Sequence, residues 1–410
     1  MVLKRYPIEQ IREEFPALQR IERDHFVGYF DGPGGTQVAK SVIEAMATYM
    51  KNGVSNLGGS YPTAMETAFL VNDAREHAAI LLGAKKENIA FGANMTTLAF
   101  RIARSLSRQW KNGQGNIVVT EMDHHANIDP WVTAAQTKNM QIHYLKVNPE
   151  TKTLDLDSLE KVINNKTKLV AIGLASNAIG TINDYIPVIR RAKEVGALVA
   201  LDAVHAVPHF SVDFQDLDAD FLFCSAYKFF GPHLGIVAIK EDVFHELEIF
   251  KLQPALSETP EKLETGTLNF EGLAGLIETI RFIASIGKGN LLREQITSAY
   301  ETMFEYEDYL ANHLRTELAN FDHVTLYQAE DDIGKTPTVA FQIKEMEAKI
   351  VCHQLAQKYA LHLEFGDFYA TTLVEKLNIQ NDGLIRAGIA PYNTIEEIER
   401  LIHAIRELSK

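Results

Sequence analysis

The middle of the chain, from about Gly83 to Lys240, alternates short apolar runs with amphipathic stretches, and this alternation restricts the fold more than any other feature. The runs have the length and the β-branched content of strands; they are NIAFGA, NIVVTE, MQIHYL, KLVAIGLAS, ALVALDA, DFLFCSA and GIVAIK. Strands that alternate with helices form a mostly parallel sheet with helices on both faces. The sequence therefore predicts an α/β fold with a mostly parallel, seven-stranded sheet.

Two helices carry clear end signals. Pro187 lies near the start of one, where a missing N–H is tolerated, and Gly196 lies where a left-handed residue would end it. The other begins after Thr394, whose hydroxyl can cap the helix while Glu397 reaches back. We expect the first helix to cover the sheet and the second to close the chain.

The chain is long enough for two domains. Its 410 residues exceed the size at which a single hydrophobic core stops growing. After about Asn290 the pattern changes to a long helix, then short strands and a final helix. We expect an N-terminal segment (1–25) that packs with the small domain, a large domain (26–288) and a smaller α+β C-terminal domain (289–410).

Composition and charge argue against several classes of protein. Hydrophobic residues make up 46% and charged residues 23%, as in ordinary globular proteins. The net charge of -14 argues against binding to nucleic acid or to an anionic membrane. Neither a signal-peptide pattern nor an apolar run of roughly 18 residues is present. Only Cys224 and Cys352 occur, which fits a reducing compartment, so we predict a cytoplasmic protein.

Asp202 and Lys228 end two successive apolar runs, ALVALD and FLFCSAYK. Ligands of open α/β sheets bind at the carboxyl ends of the strands, so both side chains should face one crevice. A lysine there can hold pyridoxal 5'-phosphate as a Schiff base, while a carboxylate keeps the pyridine nitrogen protonated. The alternative without a cofactor is a surface lysine beside a capping aspartate.

The segment FGANMTTLAF resembles a phosphate site because a strand end and a small-residue turn lead into a helix start. Backbone N–H groups and the helix dipole near Met95 and Thr96 would bind the phosphate, and Ser225 could add a hydroxyl. An ordinary strand-to-helix turn explains the segment equally well.

The segment Asp123-His124-His125-Ala126-Asn127 follows the strand NIVVTE. One imidazole could lie against the cofactor ring and exchange protons. One alternative is that these are hydrogen-bonded surface histidines. Another is a metal site made from four histidines, His124, His125, His205 and His209. The HExxH pattern and a cysteine cluster, which would support zinc, are both absent from the sequence.

These residues and several further motifs resemble the class V aminotransferase superfamily, in particular its cysteine desulfurase and selenocysteine lyase branch. The matching segments occur in the family's order over nearly the whole chain; they are YFDGPGGTQV, DHHAN, SNAIGT, LDAVHAV, CSAYKFFGP, ETGTLNFEG and IRAGIAPYNTIEEIERLI. The resemblance implies fold type I of the pyridoxal-phosphate enzymes.

The resemblance also implies roles for the cofactor-binding residues. Lys228 would be the Schiff-base lysine, with Asp202 on the pyridine nitrogen, His124 stacked on the ring and His205 near the phenolic oxygen. Tyr227 stands where relatives place a histidine and would still offer its hydroxyl to the phosphate. The resemblance further implies that Arg386 and Asn177 bind the substrate carboxylate. It also implies a homodimer with shared active sites, in which Thr267 binds the phosphate of the cofactor in the partner subunit.

One segment departs from the family. The stretch LHLEFGDFYATTLVEKL corresponds to the mobile loop that carries the desulfurase cysteine, but it contains no sulfur. Cys224 lies in an apolar run and Cys352 in a helical pattern, so we expect both to be inert core thiols. Sulfur transfer by the usual covalent route is therefore not expected.

The sequence leaves several reactions on a small amino acid open. Removal of the α proton from an external aldimine could lead to β-elimination, epimerisation or transamination. Alternatives are a true cysteine desulfurase or selenocysteine lyase, and a pyridoxal-phosphate-binding protein without catalysis. A nicotinamide enzyme is disfavoured because no GxGxxG follows a strand, and residues 32–35 read GPGG.

Overall fold

The computed structural model describes residues 6–379 and 382–408. Its α-helices are α1 (Ile8–Glu13), α2 (Lys40–Asn52), α3 (Pro62–Leu82), α4 (Met95–Gln109), α5 (Asp129–Gln136), α6 (Leu159–Val162), α7 (Tyr185–Glu194), α8 (Glu241–Glu246), α9 (Phe270–Ile286), α10 (Leu292–Ala319), α11 (Ala348–Tyr359), α12 (Thr371–Lys376) and α13 (Ile395–Leu408). Its strands are β1 (Ile21–Glu22), β2 (His25–Phe26), β3 (Gly28–Tyr29), β4 (Ile89–Gly92), β5 (Asn116–Thr120), β6 (Gln141–Leu145), β7 (Val147–Asn148), β8 (Thr153–Leu154), β9 (Thr167–Gly173), β10 (Leu198–Asp202), β11 (Phe221–Ser225), β12 (Gly235–Ile239), β13 (Val324–Leu326), β14 (Thr338–Ile343), β15 (Leu361–His362), β16 (Glu364–Gly366) and β17 (Leu384–Gly388). No helix in this part of the chain has the length and hydropathy needed to cross a bilayer.

The largest sheet has seven strands in the order β4-β12-β11-β10-β9-β5-β6. Every neighbouring pair from β11 to β6 is parallel, whereas β12 runs antiparallel to both β4 and β11. These are the seven strands that the alternation of the sequence predicts. The α/β fold with a mostly parallel sheet is therefore confirmed.

Alternate residues of the central strands pack against opposite faces of this sheet. Val199 and Leu201 of β10 belong to one hydrophobic core, whereas Ala200 between them belongs to a second. All three side chains are buried because helices cover both faces of the parallel sheet. The polar residues that end β10 and β11 are thus left at the carboxyl edge, where α/β sheets form their ligand sites.

Helices α7 and α13 have the end signals that the sequence predicts. Pro187 lies in the first turn of α7, and Gly196 beyond its end has a φ of 73°. At the start of α13, the Glu397 amide donates to Thr394 Oγ1 over 3.2 Å, and Glu397 Oε2 accepts from the Thr394 amide over 3.2 Å. This reciprocal pair is a capping box, as predicted.

The C-terminal part contains the long helix α10 and an antiparallel sheet in the order β13-β14-β17-β16. The first described residues pack on this part of the chain. The rings of Tyr6 and Tyr306 stack with centroids 3.8 Å apart, and Arg12 pairs with Glu397 at 2.9 Å. The domain bounds 1–25, 26–288 and 289–410 stay a prediction.

Candidate active site

A cavity of about 800 Å³ lies where β10 and β11 end. Ten of the residues singled out from the sequence line it; they are Met95, Thr96, His124, Asn177, Asp202, His205, Ser225, Tyr227, Lys228 and Arg386. Thr267 does not line this cavity, and its side chain is exposed. The fold therefore brings together residues from widely separated segments of the chain.

Asp202 is the last residue of β10, and its half-buried side chain lines the cavity. Its Oδ1 accepts a hydrogen bond from the Val204 amide over 2.8 Å, and a carboxylate has a second oxygen for another donor. Burial raises the pKa of Asp202 to about 6, although the Val204 amide and the charge of Lys228 oppose this shift. The carboxylate is thus available to bind a protonated nitrogen at neutral pH.

Lys228 ends the short turn that follows β11. Its Nζ donates to the carbonyl oxygens of Pro33 and Gly34, the latter over 2.9 Å. Burial, followed by the charge of Arg386, lowers the pKa of Lys228 to about 8. A substantial fraction of this amine is therefore neutral near pH 8, as a nucleophile that attacks a carbonyl must be.

The first turn of α4 lines the cavity and offers N–H donors that would suit an anion. Asn94 caps the helix by accepting from the Thr97 amide over 2.9 Å, and the Met95 amide donates to Ser225 Oγ over 3.0 Å. The Thr96 amide also lies in this first turn, where helix geometry provides no intrahelical acceptor. The amide of Met95 is occupied by Ser225, so Thr96 and the Ser225 hydroxyl are the donors left for a phosphate.

His124 is a half-buried imidazole at the cavity wall. Its Nδ1 accepts from the Ala126 amide over 2.9 Å, which leaves the ring proton on Nε2. Burial, followed by the charge of Lys228, lowers the pKa of His124 to about 4. Its ring stacks on Tyr369 with centroids 5.4 Å apart and an angle of 24° between planes. A flat neutral ring of this kind can stack on a cofactor ring.

The four histidines considered for a metal site have other partners. His125 pairs with Asp129 at 3.0 Å and does not line the cavity. The His205 and His209 rings contact each other edge to face at 5.4 Å. Within residues 6–379 and 382–408, no group of three or more His, Cys, Asp or Glu side chains is arranged to hold a metal ion.

The C-terminal part of the chain positions both His205 and His209. His205 Nε2 lies 3.0 Å from Thr336 Oγ1 and 3.1 Å from Thr338 Oγ1. His209 Nδ1 lies 3.1 Å from Glu307 Oε2, and neither side chain of this pair is exposed by more than 5%. The sequence indicated His205 and His209 but none of these three partners, which come from α10 and from the start of β14.

Arg386 of β17 already has partners in the structure. Its Nη2 donates to Asp31 Oδ1 and its Nη1 to the Asn177 carbonyl, both over 2.9 Å. The ring of Phe368 covers the guanidinium at 3.9 Å from its centroid. The Asn177 side-chain amide donates to the Phe368 carbonyl over 2.9 Å. The roles of Asp31 and Phe368 were not predicted from the sequence.

The turn Asp31 to Gly35 explains the sequence DGPGG. The amides of Gly34 and Gly35 both donate to the Asp31 carbonyl over 3.0 Å, so the chain turns back tightly here. A Cβ at Gly34 would overlap the Asp31 carboxylate that holds Arg386. A Cβ at Gly32 would meet its nearest atom, the Gly388 carbonyl oxygen, at an ordinary 3.5 Å. The requirement for glycine at position 34 therefore follows from the position of Asp31.

The segment Gly366–Tyr369 is held against the cavity without a thiol. Gly366, Phe368 and Tyr369 have positive φ angles of 126°, 54° and 56°. The Tyr369 carbonyl accepts from the His125 amide over 2.7 Å, and Asp367 Oδ2 accepts from the Thr371 hydroxyl over 2.6 Å. The left-handed conformation is costly for non-glycine residues, so these contacts must over-determine it.

Both cysteines are buried and far from a reactive state. Cys224 belongs to β11 and Cys352 to α11, and both are free thiols. Burial raises the pKa of each thiol well above its ordinary value. The expectation of two inert core thiols is consistent with this burial, because a thiol that stays protonated is a poor nucleophile.

Comparisons with known proteins agree with the geometry. The family model "Aminotransferase class-V" matches residues 28–401. A cysteine desulfurase of Enterobacter sp. (strain 638) is 28% identical over 418 residues, which cover 98% of each chain. A cysteine desulfurase of Pectobacterium carotovorum is 27% identical over 425 residues, covering 99% of this chain and 98% of the relative.

Solved structures share the fold along the whole chain. A cysteine desulfurase from Thermococcus onnurineus NA1, solved in the apo form, has a TM-score of 0.88 and 27% identity, with 98% of each chain covered. A cysteine desulfurase from Escherichia coli has a TM-score of 0.86 and 24% identity, again with 98% of each chain covered. The latter likeness supports the fold alone.

Gly34→Ala is expected to destabilise the protein and to disturb Arg386. The added Cβ must displace the Asp31 carboxylate, and overpacking of this kind costs about 1–3 kcal/mol of unfolding free energy. Gly32→Ala is the matched control, since its Cβ meets only ordinary contacts. Chemical denaturation followed by circular dichroism measures both variants, and equal stability of the two would contradict the explanation.

Proposed function

Since the chain belongs to the class V aminotransferase family, we propose that it is a pyridoxal-phosphate-dependent enzyme whose cofactor is carried on Lys228. The observation that carries this proposal is the placement of the Lys228 amine and the Asp202 carboxylate at the ends of neighbouring strands, in one cavity. The anion site at the first turn of α4 lies in the same cavity. This cofactor requires three groups, which are an amine for the Schiff base, a carboxylate for the pyridine nitrogen and an anion site for the phosphate.

The residues present fit the cofactor. Asp202 would hold the pyridine nitrogen, and the neutral ring of His124 would stack on the cofactor. His205, fixed by two threonine hydroxyls, would face the phenolic oxygen. Three further residues would bind the phosphate; they are Thr96, Ser225 and Tyr227. When bound, the cofactor withdraws electrons from the α-carbon of an amino acid and so makes its α-proton acidic.

Lys228 is the residue placed to move that proton. Its Nζ, whose pKa burial lowers to about 8, would act as the base for this proton. The carbonyls of Pro33 and Gly34 hold this nitrogen at the cavity wall. Lys228 would thus both anchor the cofactor and take the α-proton.

Arg386 would hold the substrate α-carboxylate, since a guanidinium presents several donors in one plane. Its Nε is buried and has no acceptor among the described residues. Phe368 lies over the guanidinium and keeps water from it, which strengthens its interaction with a carboxylate. Asp31 keeps the guanidinium in place before the substrate arrives.

We propose elimination of a β substituent from a small amino acid as the reaction. The relatives reported above are named cysteine desulfurases, but the segment Gly366–Tyr369 contains no cysteine, and both cysteines of this chain are buried. The persulfide-forming thiol of a desulfurase therefore has no counterpart at the cavity. Proton removal by Lys228 followed by loss of the substituent needs no thiol.

The enzyme is further proposed to be a homodimer. Large apolar side chains are exposed on α2, on α3 and on the segment between them; they are Ile43, Met50, Val54, Leu57, Met65 and Phe69. Such patches mark interfaces. Thr267 is exposed and outside the cavity of its own chain, so it is free to approach the partner's phosphate. The two free thiols also suit a cytoplasmic location, which cell fractionation would check.

Pyridoxal phosphate added to the protein is expected to be fixed by borohydride on Lys228, as found by peptide mapping. The rate of attachment should rise with pH and level off above about 8, because only the neutral amine attacks and the pKa of Lys228 is lowered to about 8. Label on another lysine, or a rate that is flat below pH 8, would contradict the assignment. Lys166 is exposed, so Lys166→Ala is the matched control and should leave the labelling of Lys228 unchanged.

Elimination predicts pyruvate and ammonia as products from small amino acids with a β leaving group. Product analysis by mass spectrometry separates this outcome from the alternatives. Alanine with a protein-bound persulfide would indicate a desulfurase, and exchange of α-hydrogen with inversion would indicate an epimerase. Lys228→Ala should lower the rate by at least about a hundredfold, the usual contribution of a general base.

Sedimentation equilibrium is expected to give twice the monomer mass. Phe69→Glu, which places a charge on a side chain that is 71% exposed, should shift the equilibrium toward monomer. Leu252→Glu changes a side chain that is 64% exposed but lies outside the α2 and α3 surface, and it serves as the control. A wild-type monomer at micromolar concentration would rule out the dimer.

A further inference from the structure

Glu364 faces Arg386 across two paired strands. Antiparallel β16 and β17 align the two residues as direct partners, so their side chains leave the same face of the sheet. Both residues line the cavity. A carboxylate therefore stands beside the guanidinium that would receive the substrate α-carboxylate.

The charge of Arg386 is already matched. Asp31 Oδ1 lies 2.9 Å from Nη2, whereas no ion pair to Glu364 occurs within residues 6–379 and 382–408. The Glu364 side chain is exposed, but partial desolvation, followed by the charge of Asp31, raises its pKa, while Arg386 opposes this shift. An α-carboxylate bound at Arg386 would be a third carboxylate beside this guanidinium, after Asp31 and the cross-strand Glu364, and neighbouring like charges repel.

The same cavity has further acceptors without donors. Asn177 Oδ1 and Glu307 Oε1 are buried atoms with no hydrogen-bond partner among the described residues. Both residues line the cavity, and the Glu307 side chain is 0% exposed. Buried acceptors of this kind are costly unless a donor arrives. The cavity therefore has acceptors for a ligand that brings N–H donors, in addition to the buried donor Arg386 Nε that would receive the substrate carboxylate.

Aromatic side chains line the same cavity as Glu364. Tyr369 lines the cavity and is 72% exposed, and Phe368 covers Arg386, the strand partner of Glu364. Aromatic faces attract cations, and a carboxylate near such faces is a common arrangement for binding an ammonium group. An anionic or purely apolar side chain would gain less from this combination.

We propose that the substrate is a diamino acid with a positively charged nitrogen on its side chain, and that Glu364 is the residue that recognises this charge. The proposal rests on the proposed function, because it assumes that the α-carboxylate binds Arg386. The positive charge on the side chain of such a substrate would balance the carboxylate of Glu364, since Asp31 is already paired with Arg386. The shortest member, 2,3-diaminopropionate, also carries a β-nitrogen, which could leave as ammonia with the bonding electron pair once Lys228 has taken the α-proton.

The first test compares ligands of equal size on the cofactor-loaded wild-type enzyme. Calorimetry should give a Kd for L-2,3-diaminopropionate that is at least about fivefold lower than the Kd for L-2-aminobutyrate. The Kd for L-ornithine should likewise be lower than the Kd for L-norleucine. Added salt should weaken the binding of the cationic member of each pair more than that of its partner, because the cationic member makes one more ionic contact. Equal affinities within each pair would overturn the proposal.

The second test uses Glu364→Gln, which keeps the shape of an exposed side chain and removes its charge. The preference for the cationic ligands should fall to within about twofold. Glu375→Gln changes an exposed carboxylate of α12 outside the cavity and should leave the preference unchanged. A preference that survives in Glu364→Gln would also overturn the proposal.

The two proposals fail in different ways. If pyridoxal phosphate does not attach to Lys228 of the wild-type enzyme, the proposed function fails before any ligand is compared. If the cofactor attaches and amino acids change its absorbance, but charged and uncharged ligands are not distinguished, only the assignment of Glu364 and of the diamino acid fails.

Discussion

The ion pair between Asp31 and Arg386 is the interaction on which the cavity depends. It joins a turn near the start of the chain to a strand of the C-terminal sheet, 355 positions apart. The turn that holds Asp31 also supplies the Pro33 and Gly34 carbonyls that bind Lys228. This one contact therefore sets the position of the Arg386 guanidinium relative to the Lys228 amine. Removal of Asp31 would be costly, because the Arg386 guanidinium is only 4% exposed and would lose its charge partner.

The C-terminal part of the chain holds two histidines of the cavity in position. Thr336 and Thr338 fix the orientation of His205, and Glu307 holds His209. The parallel strands β10 and β11 bring Asp202 and Lys228 to one edge of the sheet, but the hydrogen bonds that orient the His205 and His209 rings come from residues more than 95 positions away. The geometry of this cavity therefore depends on both the large sheet and the C-terminal part of the chain.

Regular structure was predictable because hydrophobic periodicity and capping are local signals. The seven strands and the capping box at Thr394 follow from patterns shorter than ten residues. The residues that line the cavity from the large sheet were predictable as well, because strand ends converge on one edge. The partners Asp31, Glu307 and Phe368 were not, since their roles arise from contacts between distant segments. The DGPGG sequence was the one available signal for Asp31, because adjacent glycines mark a position where the backbone needs space.

The burial of both thiols has a practical consequence for the protein outside its function. Oxidants and alkylating reagents act on thiolates, and neither Cys224 nor Cys352 is accessible or readily ionised. An enzyme that depends on a loop cysteine loses activity when that sulfur is oxidised or capped. The chemistry proposed for this chain uses nitrogen and oxygen atoms, so we expect the cavity to need no reducing agent in air.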